Sequence, residues 1–184
     1  MTDYPNVGTN GAPPLSVRQV FATYHNPYVL TRNLSATSTM AYDRDVVVHY
    51  VKRHYELLVK AAYFDPEEIR YPPDEGWSDE QLAVDILRTF GRSEVVIDLL
   101  RHLPYIKQLD GDFRDEVYFG SQQFSYLRDS PPFRSLTVEE CKGKQLFDKL
   151  LMPDPEDWPA GFIALTQDIY ATWWIMDTAK GLAI

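Results

Sequence analysis

"SDEQLAVDILRTFGRSEVVIDLLRHLPY", residues 78–105, is the stretch that decides the fold. Its first four residues have the form of a capping box, in which the Ser78 hydroxyl accepts from the Gln81 amide and the Gln81 side chain reaches back. Leu82, Ile86 and Phe90 then fall on one helical face, with Ala83 and Leu87 beside them. Gly91 suits the position just past a helix end, where left-handed backbone closes the last turn. Ser93 is a second N-cap, Glu94 sits well against the helix dipole, and Pro104 ends what Ser93 begins. The pattern predicts two helices, one from Ser78 and one from Ser93, bent sharply at Gly91-Arg92.

Upstream, "RDVVVHYVKRHYELLVKAAYF" (44–64) places Val47, Val51, His54, Leu58 and Ala62 at three- and four-residue spacing. That spacing predicts an amphipathic helix capped by Asp43 or Asp45, although Val46, Val47 and Val48 taken alone favour a strand. "DPEEIRYPPDEG" (65–76) interrupts the pattern with prolines and a glycine. Residues 1–15 read as a flexible arm, and 16–184 as a single domain. "VRQVFATYHNPYVL" contains a short segment of helical character stopped by Asn26-Pro27, and "TRNLSATSTMAYD" reads as a loop.

Downstream the character changes. "DGDFRDE" is an acidic turn, and "VYFGSQQFSYL" (117–127) has the aromatic and β-branched content of a strand or a hairpin, with Gly120 as a bulge or turn. Thr137 is placed to cap a helix in "TVEECKGKQLFDKLL", which Gly143 weakens. "FIALT" and "ATWWIM" predict two strands around "QDIY"; "DTAKG" is a turn and "LAI" begins a third strand. Helices at the front and strands at the back define an α+β class: a helical N-terminal half packed on a mostly antiparallel sheet from the C-terminal half.

Composition narrows the function. The 184-residue chain is 45% hydrophobic and 14% aromatic, with a formal net charge of −9. Such a charge repels phosphate backbones and anionic lipid, so nucleic acid and membrane surfaces are not expected partners. No run approaches the ~18 apolar residues of a membrane span. The N-terminus lacks the basic and apolar regions of a signal peptide, and the single cysteine, Cys141, leaves no intrachain disulfide to form. A cytoplasmic or nuclear location is the expectation.

The chemistry-bearing residues do not assemble into a known catalytic pattern. His49 and His54 are about 140° apart around a helix, which is not the arrangement of a helical metal pair. "DGDFRDE" has its glycine in the wrong place for a calcium loop. Cys141 lies in no nucleophile signature and reads as a small apolar residue, with Lys142 and Lys144 near enough in sequence to lower its pKa slightly. Asp85 and Arg88 are spaced for an exposed ion pair, with Arg92 or Arg101 as other partners for Asp85 or Asp98. No metal or cofactor is expected. The aromatic residues are more informative. Trp77, Trp158, Trp173 and Trp174 lie beside turns or strands, and in a strand Trp173 and Trp174 point to opposite faces. Either the sheet is covered on both sides or one tryptophan belongs to an interaction surface.

"GFIALTQDIYATWWIMDTAKGLAI" (161–184) resembles the SUKH superfamily, which includes the fungal Smi/Knr-type cell-wall regulators and bacterial toxin-immunity proteins. In that group an aromatic strand ends at an aspartate, here Asp177, and the chain re-enters the sheet after a glycine, here Gly181. "GWSDEQLAVDILRTFGRSEVVIDLLRHLPYI" (76–106) is similar to uncharacterised fungal proteins placed near it. The resemblance implies an α+β domain that binds other proteins and carries no catalytic residues. It also implies further strand and helix after Ile184, so this chain would be a truncated version of the fold.

The expected function is therefore non-enzymatic protein interaction, as a scaffold or regulator, with Trp77, Trp158, Trp173 and Trp174 as candidate binding residues. Self-association through the C-terminal strand is a further expectation, because an exposed strand edge pairs readily. The alternative is a small-molecule-binding protein or enzyme of fungal secondary metabolism, with an aromatic-lined pocket and an inward-facing group such as His102 or Asp98.

Overall fold

A computed structural model describes residues 42–107, 116–118, 120–131, 133–142, 158–167 and 174–183. The expected N-terminal arm, most of "DGDFRDE", the segment after Lys142 and Trp173 lie outside these residues. The remainder is α+β, with four helices and eight short strands among the described residues.

Helix α1, Arg44–Lys60, begins where Asp43 accepts from the Asp45 and Val46 amides. It turns Tyr55 inward, with Val47, Val48, Val51, Leu58 and Val59 packed along the same side. A single 3-10 turn, Pro66–Glu68, leads into strand β1, Ile69–Arg70. Two-residue strands of this kind have too little sequence to show a period. β1 exists because it pairs with β2, Tyr105–Ile106, at the far end of the helical corner.

The corner itself differs from its sequence pattern in one respect. The capping box at Ser78 forms, with the Ser78 amide 3.0 Å from Gln81 Oε1 and the Gln81 amide 3.4 Å from the Ser78 hydroxyl. Yet the helix that should follow begins only with α2, Val84–Thr89. Leu82 makes an antiparallel bridge to Leu127, the Ala83 amide bonds the Tyr126 carbonyl and the Arg128 amide bonds the Gln81 carbonyl. These long-range bonds take the backbone groups that a continuous helix would use within itself. Gly91 then closes α2 at φ +68°, and Ser93 caps α3, Glu94–His102, by accepting from the Val96 amide.

The strands form three antiparallel sheets among the described residues. β1 and β2 make the first. Of the strand and the hairpin that the sequence left open, the hairpin forms: β3, Glu116–Tyr118, and β4, Ser121–Gln123, pair around Gly120 at φ +67°, and β4 pairs on its other side with β6, Thr166–Gln167. The third sheet runs β5–β7–β8, where β5 is Phe162–Ala164, β7 is Ile175–Asp177 and β8 is Leu182–Ala183. Asp177 and Gly181 make the β7–β8 turn as expected: Asp177 accepts from the Ala179 and Lys180 amides, and Gly181 has φ +66°.

"FIALT" thus serves two sheets. Leu165 is the crossing point, with its amide donating to the Trp174 carbonyl at 2.7 Å and its carbonyl accepting from Phe124 at 3.0 Å. Two apolar clusters meet there. The larger is built from α2, α3 and the segment from Phe124 to Phe133, and the smaller from Tyr55, Phe64, Ile69, Ile106, Val117 and Trp174. Val51 and Leu165 pack against both. The fourth helix, α4, Val138–Cys141, carries the capping box of Thr137 and Glu140 and packs beside α2.

Candidate functional site

Two places on the described molecule bring side chains together in a way that goes beyond filling the core. The first is a cleft where α1, β2, β4 and the β6–β7 region converge. His54, Tyr55, Tyr105, Gln123, Thr166 and Trp174 are among the residues that line it. Gln123 organises its floor: Oε1 accepts from the Ile106 amide, and Nε2 donates to the Tyr55 hydroxyl at 2.6 Å and to the Pro104 carbonyl at 3.0 Å. His54 Nε2 lies 2.9 Å from the Val117 carbonyl, and its ring meets Trp174 edge-on at 5.8 Å. Burial pushes the Tyr55 and Tyr105 phenols far above the usual tyrosine range, because an anion there would be stripped of water. The cavity volume is about 20 Å³. That suits one water molecule, whereas a pocket for a drug-sized ligand needs roughly 300 Å³ or more.

The second place is the outer side of α1. Val46, Tyr50 and Leu57 are 41%, 47% and 48% exposed, although all three are large and apolar. At 100° per residue they fall within one narrow stripe, opposite the face that buries Tyr55. Arg53 lies in the same stripe and pairs with Glu56 at 3.6 Å. Asp45, Glu56 and Lys60 run along one flank of it. The inner stripe of this helix is legible in the sequence as Val47, Val51, His54 and Leu58, and the outer one is not. The signal was present, since Val46, Tyr50 and Leu57 recur at four- and seven-residue spacing, but it is hidden by the inner pattern interleaved with it.

The four tryptophans do not form a common surface. Trp77 is 5% exposed and belongs to the main core, with its indole N–H donating to the Leu103 carbonyl at 2.9 Å. Trp174 is 8% exposed and sits in the second cluster. Trp158 is half-buried, edge-on to Phe162, and Trp173 is outside the described residues. The exposed aromatic rings of the described surface are instead Tyr50, Tyr63, Tyr71 and Tyr118.

The polar residues singled out in the sequence also take other roles. Asp85 pairs with Arg128 and not with Arg88, which reaches Glu94 at 2.9 Å and Asp79 at 4.0 Å. Asp98 binds Arg44, and Arg101 binds Asp79. Arg92 is no surface partner: it is buried, and its guanidinium donates to the carbonyls of Phe90, Pro159 and Phe162. It thereby ties the helical corner to the start of β5. Burial lowers its pKa, the direction expected for a cation drawn from water. Cys141 is buried as expected of a small apolar residue. Its thiol pKa is raised, first by burial and then by Asp85 and Glu140, so the expected lowering by lysines does not hold. His102 bonds the Asp98 carbonyl through Nδ1 at 2.8 Å. Neither His102 nor Asp98 lines the cleft. Among the described residues no three His, Cys, Asp or Glu side chains group as a metal site, and no helix is long and apolar enough to cross a membrane.

Comparison with protein-family models, curated proteins and solved structures finds no match for this chain.

Proposed function

We propose that this chain is a protein-interaction domain of the SUKH type its sequence resembles, acting in the cytoplasm or nucleus as a scaffold or regulator, with no catalytic step of its own. The observation that supports this reading is the apolar stripe of Val46, Tyr50 and Leu57 on the outer side of α1. Single exposed apolar residues are ordinary, but a row of them along one helix face is the form of a protein-docking surface. Tyrosine is common at such surfaces because it offers a large flat face with a polar tip.

The test is retention of proteins from cell extract by the immobilised native chain and by a Tyr50→Lys, Leu57→Lys variant. Both side chains are about half exposed, so the variant should keep its unfolding midpoint within a fraction of the native value. The expected result is loss of specifically retained proteins, the chain itself included, with the fold intact. An unchanged set of retained proteins would sink the proposal.

A further inference from the structure

We draw no further inference here: the strongest candidate, the exposed apolar stripe of Val46, Tyr50 and Leu57 on the outer side of α1, carries nothing beyond the docking reading already proposed, because nothing in the structure shows what covers it.

Discussion

Gln123 shows how much one residue can hold in this fold. It is 3% exposed, and its amide serves the Ile106 amide, the Tyr55 hydroxyl and the Pro104 carbonyl, which belong to β2, to α1 and to the segment after α3. A buried amide is tolerated only when its donors and acceptor are used, and removing it takes a hydrogen-bond partner from three groups belonging to three different elements at once. Gln123→Ala should therefore cost about 3 kcal/mol of stability, read as a lower urea midpoint at unchanged slope. Gln123→Leu should be no milder, since filling the space returns none of the hydrogen bonds. Trp77 and Arg92 follow the same logic. Each is a residue with a polar tip that the sequence places near a turn, and each is buried because a backbone carbonyl stands within reach of that tip. Nothing in the local sequence reveals that carbonyl, because it comes from another element.

Among the elements, the helical corner depends on two glycines of different kinds. Gly91 has φ +68°, and a Cβ added there would meet nothing within 4 Å. Gly91→Ala should therefore cost only the conformational penalty, about 1 kcal/mol. Gly76 has φ +85°, and its added Cβ would lie 3.0 Å from the Arg101 carbonyl oxygen and 3.1 Å from Arg101 Cβ. Gly76→Ala must strain its own backbone and also push α3 away, so it should cost clearly more. Denaturant midpoints of the two variants, measured side by side, check the order; equal values would remove the proposed close packing at Gly76. The same elements show which boundaries were legible. Ser93 caps its helix where its side chain predicts, and of the two aspartates open as the α1 cap it is Asp43 that serves, because capping is settled within four residues. The start of α2 was not legible, since the bridge from Leu82 to Leu127 spans distant parts of the chain.

At the scale of the whole molecule, the two apolar clusters meet at Val51 and Leu165, so α1, the strands and the corner are joined through shared side chains. Buried tyrosines report on that unit. Burial pushes Tyr42 up to about 12, with Asp98 adding to the rise, and pushes Tyr55, Tyr105 and Tyr126 higher still. For each, the folded-state pKa lies above the unfolded value of about 10. Their contribution to stability is intact below about pH 10 and is lost progressively as pH rises toward the folded-state values, because only the unfolded chain releases those protons readily. Ultraviolet titration of the phenols should show the exposed tyrosines ionising first. A late group should then ionise together with loss of the near-ultraviolet circular dichroism signal. All twelve tyrosines ionising in one ordinary step, with the fold intact, would contradict this burial.

The sequence by itself determined the α+β class, the caps at Ser93 and Thr137 and the Asp177–Gly181 turn, and narrowed the α1 cap to Asp43 or Asp45 and residues 117–127 to a strand or a hairpin, because each depends on spacing or backbone preference over a few residues. The outer stripe of α1 was also written there, in the spacing of Val46, Tyr50 and Leu57, but only the burial of the opposite face showed it to be exposed. Tertiary structure alone decided that Trp77 and Trp174 belong to the core, that Arg92 is a buried clamp, and that "FIALT" divides between two sheets at Leu165. In each of these the deciding partner lies far along the chain, and a hydrogen bond or a contact between distant segments leaves no period for a local reading to detect.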